Sequence, residues 1–119
     1  MLINLSNHPS AQWSAEQRAA AEKQFGEIQD LPFPAVDPTG ESIYIEQLAQ
    51  DYLNIIAKKH FSNPLPTIHI MGEMNFTYSI VRLLQNYGFT CVSSTTERIA
   101  KEENGVKTSE FRFVRFRNY

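Results

Sequence analysis

TIHIMGEMNFTYSIVRLL, residues Thr67–Leu84, changes its period half-way along. Thr67 to Met71 is a short, largely apolar alternating run, as in a strand. Phe76, Ile80, Val81, Leu83 and Leu84 recur at helical spacing. The break falls at Met71-Gly72-Glu73. A strand that feeds a helix through a short turn is the unit from which parallel sheets are built, so this stretch predicts an α/β fold.

The same unit recurs on the N-terminal side. Met1 to Ser6 reads as a buried strand stopped by Asn7-His8-Pro9, and Ser14 with Gln17 forms a capping box ahead of a helix that Gly26 ends. Glu27 to Leu31 is a second short strand. Ser42 can cap a second helix, whose apolar face carries Ile45, Leu48, Ala49, Tyr52, Leu53, Ile56 and Ala57 and which ends near His60. On the C-terminal side Gly88 stops the third helix and Phe89 to Ser93 is a fourth strand. A polar link, Lys101 to Gly105, then leads to SEFRFVRFRNY. There the Phe/Arg alternation slips once at Val114-Arg115, as at a β-bulge.

The expected order is βαβαβαβ followed by one more strand. This is a small Rossmann-like three-layer sandwich: four mainly parallel strands, with the C-terminal strand pairing antiparallel at an edge. Residues 1–119 form one domain by size, with no internal repeat or linker.

Composition excludes more than it assigns. Hydrophobic residues at 42% and charged residues at 20% suit a globular chain rather than a disordered one. The net charge of −2 argues against binding duplex nucleic acid, which calls for a surplus of Lys and Arg. That charge is uneven: residues up to Glu97 carry five Lys/Arg against ten Asp/Glu, and those from Arg98 onward carry six against three. Charge on an edge strand protects it from pairing with other chains. The lone Cys91 allows no internal disulfide, and neither a basic leader nor a membrane-length apolar run is found. The expectation is a cytoplasmic protein with no membrane contact.

In open α/β sheets ligands lie beyond the carboxyl ends of the strands, where the strand order reverses. With the order 2-1-3-4-5, that point is between the first and third strands. The loops there hold Ser6, Asn7, His8 and Ser10, then Gly72, Glu73, Asn75 and Thr77, with Ser94, Thr95, Thr96 and Arg98 after the fourth strand. Gly72 would let backbone approach a ligand, and the helix after it offers N–H groups to an anion such as phosphate. Glu73 disturbs a plain phosphate cradle and would point away or bond a sugar hydroxyl. Turn and cap chemistry accounts for many of the same residue types, and convergence at one sheet edge is what favours a site.

His8 could serve as general acid or base beside a ribose. His60 suits a helix end, and His69 reads as packed within its strand. No His or Cys pair has metal-ligand spacing, and Asp30 with Asp37 lacks a third carboxylate for magnesium, so no metal is expected. Neither a Gly-x-Gly-x-x-Gly after the first strand nor a Walker loop is present. That argues against a dinucleotide cofactor or a nucleoside triphosphatase, and no cofactor is expected.

LINLSNHPS at the start, MGEMNFTYS after the third strand and CVSSTTER at the fourth together resemble the small single-domain CRISPR-associated Rossmann-fold (CARF-like) proteins of the ring nuclease type. The resemblance implies a homodimer that binds a cyclic oligoadenylate, such as cyclic tetra-adenylate, across its two-fold axis. It also implies metal-independent ring opening by attack of a ribose 2′-hydroxyl, which ends type III CRISPR antiviral signalling. Carried over by position, His8 and Arg98 would touch the scissile phosphate or leaving oxygen. Ser6, Asn7, Ser10, Gly72, Glu73, Asn75, Thr77, Ser94, Thr95 and Thr96 would hold the ligand. A non-catalytic sponge, a protein-interaction module using the Phe/Arg strand, and a binder of another nucleotide or small acid remain open.

Overall fold

Three βα steps build the sheet in the computed structural model, which describes residues 1–119. In chain order they are β1 (Leu2–Ser6), a short 3-10 turn (Ser10–Gln12), α1 (Ala15–Phe25), β2 (Ile28–Asp30), α2 (Ser42–His60), β3 (Thr67–Met71), α3 (Met74–Asn86), β4 (Thr90–Glu103) and β5 (Val106–Asn118). The sheet order is β2-β1-β3-β4-β5, parallel throughout except for the antiparallel β4/β5 edge pair. This is the α/β sheet that the strand and helix periods predict.

Local chemistry sets the element ends. The Ser14 hydroxyl accepts from Gln17 N at 3.2 Å, and Gly26 and Gly88 both take φ +88° just beyond their helices. At α2 the cap is Glu41, and Ser42 is the first helical residue rather than the cap.

The two sheet faces are covered unequally. Ile3, Leu5, Ile68, Ile70 and Cys91 point to α2 and α3, where Leu53, Ile56, Phe76, Ile80 and Leu84 complete the main core. The opposite face carries Leu2, Val92 and Phe116 against Ala21 of α1, with Trp13 and Phe113 at the margin. One 11-residue helix, α1, covers that second face and meets β5 at Phe116, where the Phe25 ring packs edge-on.

The fourth strand departs from the expected Phe89–Ser93. It runs on to Glu103 and returns as β5 through Asn104-Gly105, whose φ values of +54° and +79° make the two-residue turn favoured in hairpins. The segment read as a polar link is therefore mostly strand. Pairing with β3 ends at Val92, so the remainder projects as a two-stranded ribbon. The radius of gyration, 16.0 Å, exceeds the roughly 13.5 Å of a compact chain this long, as a projecting ribbon requires. The bulge lies where the alternation slips: Thr95 pairs Arg115 and Thr96 pairs Phe113, leaving Val114 as the extra residue. No helix is long and apolar enough to cross a membrane.

Candidate functional site

Register assembles a polar row across three parallel strands. Asn4 of β1 stands beside Asp30 of β2 on one side and His69 of β3 on the other. Asn4 and His69 are almost fully buried, so their polar atoms need partners from protein.

Asn4 has all four of its hydrogen-bonding positions filled. Its Nδ2 donates to Asp30 Oδ1 at 2.8 Å and to the His8 carbonyl at 2.9 Å. Its Oδ1 accepts from Ser6 Oγ at 2.7 Å and pairs with His69 Nδ1 at 2.9 Å. With Oδ1 an acceptor only, His69 carries its proton on Nδ1 and leaves Nε2 as a lone pair. Nε2 faces the Ser94 hydroxyl at 3.2 Å, and that hydroxyl also lies 2.9 Å from Met71 Sδ. The result is a continuous chain, Asp30–Asn4–His69–Ser94.

Electrostatics follow from these contacts. Burial, with a smaller contribution from the His8 charge, lowers the His69 pKa to about 4, so its imidazole is neutral at pH 7. Burial pushes the Asp30 carboxyl up, but hydrogen bonds from Asn4 and Ser10 and the nearby Arg18 charge outweigh it and leave the group below its ordinary value. Asp30 thus clamps the first loop: Ser10 N and Oγ donate to its two oxygens at 3.0 and 2.8 Å.

Above the row lies a cavity of about 650 Å³, at the carboxyl ends of β1 and β3 and beside the first half of β4. Ser6, His69, Met71 and Ser94 line its inner part, and the exposed His8 with Gln12, Trp13, Ser14, Gln17, Thr96, Phe111 and Phe113 its outer part. The backbone of His8 is held firmly: its N–H donates to Ser6 Oγ and its carbonyl accepts from Asn4 Nδ2 and Trp13 Nε1. No Lys or Arg lines this cavity.

Of the residues expected at the site, Ser6, His8, Ser94 and Thr96 meet here. Ser10 is nearby, but its hydroxyl is committed to Asp30, and Asn7 is exposed outside the cavity lining. Strand pleating turns Thr95 to the other face, where its hydroxyl bonds the Arg115 carbonyl. Arg98 sits further along the ribbon, bonded to Ser109 Oγ and outside the cavity.

The α3 residues serve other purposes. Gly72 admits the Phe33 ring: a Cβ there would collide with Phe33 Cζ, so the close approach is to protein. The N–H groups at the start of α3 are already taken, because the Glu73 carboxylate accepts from Asn75 N at 3.0 Å and Phe76 N at 2.7 Å. Those bonds, Phe76 first, hold the Glu73 carboxyl below its usual range. Thr77 and Gly72 line a separate cavity of about 560 Å³ with Met71, Met74 and Tyr119, and Thr77 Oγ1 is buried there without a partner. Asn75 lines a third cleft beside Gly40 and Glu41.

A known family matches nearly the full length of the chain: the profile described as "Uncharacterized protein MJ1673 family" aligns with residues 1–117. The chain belongs to that family. No curated protein and no solved structure matches it. In this MJ1673-family chain the residues at the centre of the polar row are ones that motif reading passes over. Asn4 sits inside an apolar strand, Asp30 pairs in sequence only with Asp37 and no third carboxylate, and His69 reads as packing.

Proposed function

We propose that this protein binds a cyclic oligoadenylate between two copies of the chain and opens the ring without a metal, ending type III CRISPR antiviral signalling. The observation that carries the reading is the convergence of Ser6, His8, Ser94 and Thr96 around one cavity at the switch point of the sheet, with the neutral His69 beneath. These are hydroxyl and imidazole groups that suit ribose and phosphodiester oxygens. A second copy would cover the two-stranded ribbon, which on its own is a marginal structure in water. An isologous dimer would also present each cavity twice to a two-fold ligand.

In the reaction, a ribose 2′-oxygen attacks the adjacent phosphorus in line while the P–O5′ bond breaks. The 2′-hydroxyl proton leaves, and the departing 5′-oxygen gains one. A 2′,3′-cyclic phosphate and a 5′-hydroxyl result. In this reading His8 moves a proton and Thr96 orients the ribose. Orientation alone can supply several kcal/mol of the barrier.

Binding without cleavage is the second reading, and one observation favours it. Arg98 lies outside the cavity and no other cation lines it, so little is present to balance charge on a pentacoordinate phosphorus. Incubating the protein with cyclic tetra-adenylate in EDTA and separating the products decides between them. Linear products that disappear in His8→Ala support ring opening. An intact ring in a tight complex supports sequestration, and the absence of both products and complex refutes the proposal.

A further inference from the structure

The bulge at Val114 decides what the cavity can hold. Without it, Phe116 and Phe113, three residues apart, would point to opposite faces of the strand. With one extra residue in β5, Phe116 pairs Ser94, Phe113 pairs Thr96 and Phe111 pairs Arg98, so all three rings share the face of Ser94. Exposure climbs along the row: Phe116 is 6% exposed, Phe113 half-buried and Phe111 68% exposed.

Phe116 is core, with Trp13, Phe25, His69 and Phe113 around it. Phe111 stacks on no other ring, yet it lines the cavity with Phe113 and Trp13. The neighbouring amides of Gln12 and Gln17 also line it, and neither side chain makes a hydrogen bond within the chain. The outer cavity therefore offers flat apolar surface and unengaged amides, with no cationic side chain.

We propose that Trp13, Phe113 and Phe111 form the stacking wall of an adenine-binding slot, with Gln12 and Gln17 reading the edge of the base. This rests on the proposed cyclic oligoadenylate reading and names the part of the ligand that the outer cavity takes. An uncharged aromatic heterocycle suits such a lining better than an anion does. An amide matches the N6 donor and N7 acceptor of adenine, whereas the two acceptors of guanine call for an Arg or Lys fork. Arg98 pairs with Phe111 but donates to Ser109 Oγ further along the ribbon, so it takes no part in the slot.

Trp13 is the only tryptophan and reports the slot directly. Its fluorescence is titrated with cyclic tetra-adenylate, AMP and GMP, with calorimetry and light scattering on the same samples, for wild type, Phe111→Ala and Phe111→Trp. We expect cyclic tetra-adenylate and AMP to perturb Trp13 in the wild type and GMP to do so far more weakly. Phe111→Ala should weaken adenine binding about tenfold or more, and Phe111→Trp should restore it. Phe111 is exposed, so its replacement leaves the core intact. Tight binding of cyclic tetra-adenylate that is unchanged in Phe111→Ala overturns the slot and leaves the proposed function standing. Phe111-dependent binding of AMP without any binding of the cyclic ligand does the reverse. Equal binding of GMP overturns the assignment to adenine. A change of oligomeric state in Phe111→Ala at constant affinity makes the ring an interface residue and overturns its stacking role.

Discussion

His69 should make the fold sensitive to mild acid in a window that its carboxylates do not share. The imidazole is buried, paired through Nδ1 to Asn4, and holds its pKa near 4 against an ordinary 6.5. Above pH 6.5 it is neutral in both the folded and the unfolded chain and adds no pH dependence. Between 6.5 and 4 the unfolded chain takes up a proton that the folded chain refuses, so stability falls as pH falls, by about 1.4 kcal/mol per unit at most. That amounts to about 2 kcal/mol by pH 5 and about 3 kcal/mol by pH 4, where the loss levels off. Asp30 has a lowered pKa, so its contribution is present above the ordinary carboxylate value and is lost at more acid pH, below this window. Urea unfolding of wild type and His69→Gln from pH 7.5 to 4.5 isolates the residue. His69→Gln should be less stable at pH 7, by about 1 to 3 kcal/mol for the disturbed polar row, yet show a shallower decline on acidification. Parallel stability curves for the two proteins would refute the reasoning.

Three further outcomes follow from local geometry. Glu73→Ala removes the carboxylate that caps α3 through Asn75 N and Phe76 N, and should cost about 1 kcal/mol in thermal or urea unfolding; an unchanged midpoint would show the cap to be idle. Gly72→Ala places a methyl group against the Phe33 ring, which packs edge-on to Phe76 at 5.2 Å. It should destabilise by about 1 to 3 kcal/mol, and Phe33→Ala in the same chain should remove the clash, so the two changes should be non-additive in a double-mutant cycle. Burial pushes the Cys91 thiol up to about 12, so Ellman's reagent at pH 8 should label it only in urea, and fast labelling of the native protein would contradict its placement in the core.

The fold was legible because period alone distinguishes its elements. Ile68 and Ile70 face α2 and α3 in strand alternation, while Phe76, Ile80 and Leu84 return to the same core at helical spacing. The length of the hairpin was not legible in the same way. Thr96 to Glu103 is polar or charged except at Ile99 and Ala100, and a ribbon with no sheet neighbour beyond Val92 has no buried face to impose alternation on β4. The local signal was the Asn104-Gly105 dipeptide, which marks a tight turn and not the end of a polar link. The slip at Val114 was visible, but its consequence needed the partner strand: only the pairing of Thr96 with Phe113 shows which face the aromatic rings share.

The polar row explains why some of the candidate residues meet and others do not. Asn4, Asp30 and His69 are each the third residue of their strand, in Leu2-Ile3-Asn4, Ile28-Gln29-Asp30 and Thr67-Ile68-His69, and the register aligns these positions side by side. Seen singly, each is one polar residue near an apolar run, with no motif around it. Seen in register, they form a row in which Asp30 orients Asn4, Asn4 fixes the tautomer of His69, and His69 presents a bare nitrogen to Ser94. In β4 the corresponding position is Val92, which closes the row, and Ser94, two residues on, carries it to the cavity. Residues that join this row or its upper edge, such as Ser6, His8 and Ser94, reach the cavity. Those placed by the α3 turn, such as Glu73 and Asn75, are drawn to the other face, where α3 packs. A recurring polar residue at the same step of successive parallel strands is thus a sequence signal for a buried site, readable once the strand order is known.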